Sequence, residues 1–171
     1  MVSDYRCSVM AIHVDDIKAL AMNAHRDRQT LDALFASMLN GEGREASQAA
    51  WALTHLPAAD LPALDAHRAD MVDMVLTTSS VPLRRMGLAL LEKLEWNEEQ
   101  VCVPLLDFCL DRMLSPSEPY GVKALCIKLA YAQCRHFPEL CGELKQGLLL
   151  MQPDELGSGV RHTRAKILKL L

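Results

Sequence analysis

The chain has 171 residues, of which half are hydrophobic and only 5% aromatic, and its formal net charge is −4 at neutral pH. The hydrophobic content excludes a disordered chain, and the mildly acidic balance argues against a uniformly basic nucleic-acid binder. Because aromatic residues are so few, Leu, Ala, Met and Val have to fill the core, a composition typical of close-packed helices in a single domain.

The first predicted helix covers about residues 15–25 and precedes the repeating part of the chain. Asp15 and Asp16 suit its start, where the helix dipole is positive. We expect residues 1–26 to cap the helices that follow. The opening MVSDYRCSVMAIHVDD lacks the basic-then-apolar order of a signal peptide.

Four later stretches repeat one pattern, and they begin at Glu45, Leu83, Val122 and Val160, at intervals of 38, 39 and 38 residues. Another amphipathic run precedes each stretch, and links rich in Gly, Pro or Ser separate the runs. Repetition at this period predicts a solenoid of stacked helical hairpins. We therefore expect one all-α domain, a right-handed α–α superhelix with four hairpins over residues 27–59, 65–96, 98–136 and 138–171.

The segment Leu83–Leu91 (LRRMGLALL) resembles the second helix of a HEAT repeat, with an aliphatic residue, Arg, two variable positions, small residues and then Leu. The stretches beginning at Val122 and Val160 open in the same way, whereas the first opens with Glu45. The resemblance covers about residues 27–171 and implies an armadillo-type fold whose second helices line the concave side. It specifies a packing geometry and no activity.

Charge divides between the two helices of each predicted hairpin. The four first helices carry ten acidic and four basic residues, and the four second helices carry ten basic and two acidic ones. Such a division is compatible with two ordinary solvated faces. It is also compatible with a basic face that steers an anionic partner toward the array.

Aligning the second helices gives a row of outward positions that we predict to bind a partner on the concave face: Trp51, Arg85, Lys128, Tyr131, Lys166 and Lys169. Aromatic residues and Arg dominate binding hot spots. The alternative for Trp51 is simple packing, since Trp is usually largely buried. A neighbouring column contains Arg84, Lys123 and Arg161, and the resemblance implies that its bases bond to the preceding turn and to the adjacent repeat.

The leading functional hypothesis is a non-enzymatic scaffold that holds a protein or peptide of acidic character and needs no cofactor or metal. The chain contains none of the motifs GxSxG, HExxH, GxxxxGK[ST] or GxGxxG. The alternative is nucleic-acid binding, because some DNA glycosylases that remove alkylated purines are built from HEAT-like repeats with a basic groove. This chain shares the basic second helices and Trp51, but Glu92 is the only acid on the predicted stripe, so catalysis is not expected.

Six cysteines are present, namely Cys7, Cys102, Cys109, Cys126, Cys134 and Cys141. Their spacing matches no common zinc site, so we expect free thiols in the core and a reducing, cytoplasmic location. No stretch reaches the roughly 18 apolar residues of a membrane span. The last helix ends in Ile167–Leu171 without a polar cap, which predicts weak dimerisation through this end of the array.

Overall fold

The computed structural model describes residues 12–171. Ten α-helices form this part of the chain: α1 (Val14–Arg26), α2 (Arg28–Asn40), α3 (Gly43–Thr54), α4 (Leu61–Ala66), α5 (Arg68–Thr77), α6 (Val81–Glu92), α7 (Val103–Leu114), α8 (Tyr120–Cys134), α9 (Pro138–Leu150) and α10 (Ser158–Leu168). Short 3-10 turns cover Ala58–Asp60, Glu98–Gln100 and Pro153–Glu155. Within residues 12–171 no strand occurs, and no helix has the length and apolarity needed to cross a bilayer.

Local sequence signals explain where these helices begin. The Asp27 carboxylate accepts a hydrogen bond from the Thr30 amide at 2.9 Å and caps α2. Ser80 Oγ accepts from the Leu83 amide at 3.3 Å and caps α6 in the same way. Pro residues occupy the first turns of α4, α6, α7 and α9, where a missing N–H costs little.

The helices stack as a solenoid of hairpins, which confirms the predicted fold class. Helices pair as α2/α3, α5/α6, α7/α8 and α9/α10. The second helices α3, α6, α8 and α10 contact one another in turn, and the first helices α2, α5, α7 and α9 do the same. Helix α1 lies against α2 and α3, so it covers the first hairpin at the end of the stack.

One helix was missed by the sequence analysis. The predicted hairpins over residues 27–59 and 65–96 leave a link between them, but α4 begins at Leu61 within that link. The Leu64 side chain is buried in the core, so burial of an apolar residue stabilises this single extra turn. Its six residues are too few for a clear helical period.

The core runs between the two helix layers along the whole stack. As the composition predicts, it is mainly Leu, Ala, Met and Val, with Met38, Leu53, Met71, Leu91 and Leu105 fully enclosed. Phe35 and Trp96 are its buried aromatic residues. The Trp96 indole N–H donates to the Leu91 carbonyl at 3.0 Å, so burial leaves no unpaired polar atom in the ring.

The cysteines occupy this core, as expected for structural thiols. Cys109, Cys126 and Cys134 are buried, Cys102 and Cys141 are half-buried, and all five are free; Cys7 lies outside the described residues. The pKa of Cys109 is raised well above its usual value by a hydrogen bond with Cys126 and by desolvation. Burial raises the pKa of Cys134 to about 12. The Cys109 and Cys134 thiols are therefore protonated and weakly reactive.

Two helical glycines give opposite predictions for substitution by Ala. A Cβ at Gly87 would lie 2.6 Å from Val75 Cγ2, whereas a Cβ at Gly142 would meet nothing within 4 Å. We expect Gly87→Ala to lower the free energy of unfolding by about 1–2 kcal/mol, because overpacking outweighs helix propensity. We expect Gly142→Ala to raise it by about 0.5–1 kcal/mol. Urea denaturation measures both, and a stabilised Gly87→Ala would show that α5 and α6 are not packed this closely.

Candidate interaction surface on the second helices

The solvent side of α3, α6, α8 and α10, called here the second-helix face, contains the row that the sequence predicts. Arg85 and Lys128 are both exposed. Lys128 Nζ lies 3.6 Å from Glu92 Oε1, and Glu92 is seven residues beyond Arg85, two turns along the same side of α6. Arg85 and Lys128 therefore lie on one side of the array, as the alignment of the second helices requires.

Side chains near the helix starts cross from one second helix to the next. Arg85 lies over Gly121 in the first turn of α8, where a Cβ would come within 3.1 Å of the Arg85 Nε. The Tyr120 ring lies over Gly157 before α10, where a Cβ would come within 2.7 Å of Tyr120 Cδ2. Glycine at these two positions permits the close approach. Neighbouring hairpins are therefore held in register at this edge.

The C-terminal part of the face carries the greatest excess of positive charge. Helix α10 contains three Lys or Arg residues and no acidic one, and Lys169 follows directly after it. The Arg164 Nε donates to the Leu148 carbonyl at 2.7 Å and so ties α10 to α9. Lys166 and Lys169 are exposed and form no ion pair within residues 12–171. Their charges therefore face solvent and are available to a partner.

The two predicted aromatic residues are half-buried. Trp51 and Tyr131 both pack against the core and keep part of their surface accessible. The Trp51 ring centroid lies 6.3 Å from that of His55. Each aromatic residue therefore supports the core without being fully buried.

A cationic group beside Trp51 was missed by the sequence analysis. Lys93 at the end of α6 donates a hydrogen bond to the Thr54 carbonyl at the end of α3. The pKa of His55 is lowered by burial and then by the positive charges of Lys18 and Lys93. Burial also lowers the pKa of Lys93, and Glu92 opposes that change. Lys18 and Lys93 therefore place positive charge at one end of the face, around an imidazole whose protonation they disfavour.

The neighbouring column of basic residues, Arg84, Lys123 and Arg161, is largely structural, as predicted. The buried Arg84 donates from Nη1 to Glu118 Oε1 at 2.7 Å and from Nη2 to the Thr78 carbonyl at 3.0 Å. These contacts join α6 to its preceding turn and to the next hairpin. The Arg161 Nη2 donates to the Leu156 carbonyl at 3.1 Å. Lys123 departs from the pattern, because it makes no hydrogen bond or ion pair with residues 12–171.

The model of the HEAT repeat domain matches residues 9–171. The chain belongs to the HEAT repeat family. No curated protein and no solved structure matches it. HEAT repeats generally mediate protein interactions, and HEAT repeat proteins are typically non-catalytic scaffolds.

Within residues 12–171 of this HEAT repeat protein, the histidines do not form an acid–base site on the second-helix face. His162 is exposed there and has no hydrogen-bonding carboxylate among residues 12–171. His25 and Asp60 are 2.8 Å apart, but they join α1 to the turn before α4. A general base needs an orienting partner and a place for substrate within hydrogen-bond reach. The described part of the HEAT array does not provide these around His162.

The buried contact between Arg84 and Glu118 gives a prediction about the HEAT array. Arg84→Met removes two hydrogen bonds and leaves Glu118 with Arg112, whose Nη1 lies 3.2 Å away. We expect the free energy of unfolding in urea to fall by about 2–3 kcal/mol. Lys128→Met is the control, because the exposed pair with Glu92 contributes less than about 1 kcal/mol. Equal effects of the two variants would contradict a structural role for Arg84.

The position of His55 gives a second prediction. Lys93→Met should raise the pKa of His55 toward its usual value, and burial and Lys18 should still hold it below that value. Because the folded-state pKa is lowered, this histidine favours folding above about pH 6.5 and that contribution is lost as the pH falls toward the folded pKa. An NMR pH titration of the imidazole measures the shift. Lys145→Met on α9 is the control and should leave the titration unchanged.

Proposed function

We propose that this HEAT repeat protein is a non-enzymatic scaffold whose second-helix face binds an acidic stretch of a protein partner. The observation that carries the proposal is that three exposed cations of the predicted row form no ion pair in residues 12–171, namely Arg85, Lys166 and Lys169. A cation that forms no ion pair within the described fold breaks none when it binds an acidic group of a partner, so the new attraction is not offset by a lost one. Charges that already form buried pairs, such as Arg84, cannot serve in this way.

The half-buried aromatic residues support binding of a polypeptide. Trp51 and Tyr131 are held by the core, so contact with a partner restricts little additional side-chain motion. Trp and Tyr supply much of the binding energy at protein interfaces. The partner segment in this proposal places acidic side chains near Lys128, Lys166 and Lys169 and an apolar group against Trp51.

The position of the cations indicates how the partner is selected. Exposed charges on an interface chiefly affect the association rate and exclude like-charged partners. The first helices are acidic overall, so an acidic segment is repelled from that side of the array. The two faces together direct an acidic partner to the second-helix face.

The test uses one substitution at two places in the last hairpin. The probe is a fluorescein-labelled peptide of alternating Glu and Ser with one central Leu, and its binding is measured by fluorescence anisotropy at 50 and 200 mM salt. Lys166→Glu should weaken binding about tenfold at the lower salt concentration, because reversing an interface charge changes affinity by about one power of ten. Lys145→Glu is the matched control on α9, and its exposed side chain lies on a first helix. Equal losses for the two variants would contradict the proposed face.

The nucleic-acid alternative is an outcome of the same measurement. A labelled 20-nucleotide single strand replaces the peptide, and its affinity is recorded at both salt concentrations. Contacts with phosphates make affinity fall steeply with salt. If the strand binds more tightly than the acidic peptide at 200 mM salt and Lys166→Glu abolishes that binding, the protein-partner proposal is wrong.

A further inference from the structure

A recessed surface lies at the edge of the array where the α7–α8 and α9–α10 turns meet, beside the starts of α8 and α10. The groove between these turns has a volume of about 510 Å³. One wall includes Leu114 and Pro116, the other includes Leu150, and Lys123 and Glu118 lie deeper. The two walls come from successive hairpins, so the stack itself creates the groove.

The groove is held open by contacts between its walls. The Tyr120 hydroxyl donates to the Glu155 carbonyl at 3.0 Å, which fixes the start of α8 against the turn before α10. The Tyr120 ring lies over Gly157 at the same place. On the other side, Glu118 is fixed by Arg84 and Arg112 at 2.7 and 3.2 Å. Because these contacts set the spacing of the walls, a ligand does not have to order them.

The walls expose apolar surface that no part of residues 12–171 covers. Leu150 is 71% exposed, Tyr120 52% and Leu114 41%. Single exposed apolar residues are common on protein surfaces, but three large ones around one groove indicate contact with another molecule. They favour an apolar side chain as part of the ligand.

Lys123 determines which charge a ligand of the groove has to carry. Its residue surface is 9% exposed, it lines the groove, and it makes no hydrogen bond or ion pair with residues 12–171. Arg84 and Arg161 at the equivalent positions each donate to the preceding turn. The Glu118 charge does not offset Lys123, because Arg84 and Arg112 already neutralise it. Glu155 is exposed at the outer edge. The interior of the groove therefore presents one cation that lacks a counter-charge.

We infer that this groove binds the C-terminal residue of a polypeptide that ends in an apolar side chain. A terminal residue carries a carboxylate and a side chain on the same Cα, so it can meet Lys123 and the Leu114–Leu150 walls together. An internal Asp or Glu uses its own side chain for the negative charge, so the apolar group has to come from a neighbouring residue. A charge-assisted hydrogen bond to a recessed lysine then distinguishes a free carboxylate from an amide.

The experiment titrates the 15N-labelled protein with N-acetyl-Ser-Gly-Leu, either as the free acid or as the C-terminal amide, and follows amide shifts by NMR. The free acid should shift signals of residues 115–123 and 150–157 and should bind about tenfold more tightly than the amide. Lys123→Met should reduce the affinity for the acid to that for the amide. Lys128→Met, the same substitution on the same helix, should leave both affinities unchanged.

Several results would overturn the inference. They are equal affinities of acid and amide for the wild-type protein, shifts confined to other surfaces, or tighter binding of N-acetyl-Ser-Glu-Leu amide than of the free acid. If Lys123→Met does not fold, the comparison of acid and amide on the wild-type protein decides. Lys166→Glu should not alter binding of the acid, so failure of the groove and failure of the second-helix face can be told apart.

Discussion

Burial of apolar side chains between two layers of helices is the constraint on which the rest of this structure depends. No hairpin can enclose its own apolar stripe, so each packs against the next, and α3, α6, α8 and α10 follow one another. Equivalent positions then fall into rows across the molecule. The predicted interaction row, the Arg84 contacts and the groove beside Lys123 are all products of this stacking.

The repeated helical pattern in the sequence determined which features of the structure could be predicted. The period of 38 or 39 residues indicated the hairpins, and the structural role of Arg84 followed from the HEAT resemblance. The side chains around Trp51 could not be found in this way. His55 and Lys93 lie one position beyond the aligned stripe, and Lys18 belongs to α1, which has no counterpart in the repeat. Their association depends on side chains that cross between helices.

The short α4 and the groove were missed for a related reason. Both are built from segments between the repeated helices, where length and conformation vary from one hairpin to the next. Lys123 shows the difference most clearly, because the alignment placed it with Arg84 and Arg161 while the structure gives it no comparable partner. A column in an alignment fixes where a residue lies, and the neighbouring turns decide what it contacts.

The different surroundings of the two tryptophans make the protein its own spectroscopic reporter. Trp96 is enclosed with its indole N–H bonded to Leu91, whereas Trp51 retains solvent contact beside His55. Aqueous iodide can therefore quench the emission of Trp51 and leave most of the emission of Trp96. A molecule that covers the second-helix face would shield Trp51 from iodide, so its binding can be followed without labelling the chain. Loss of the folded array would expose both tryptophans to the quencher.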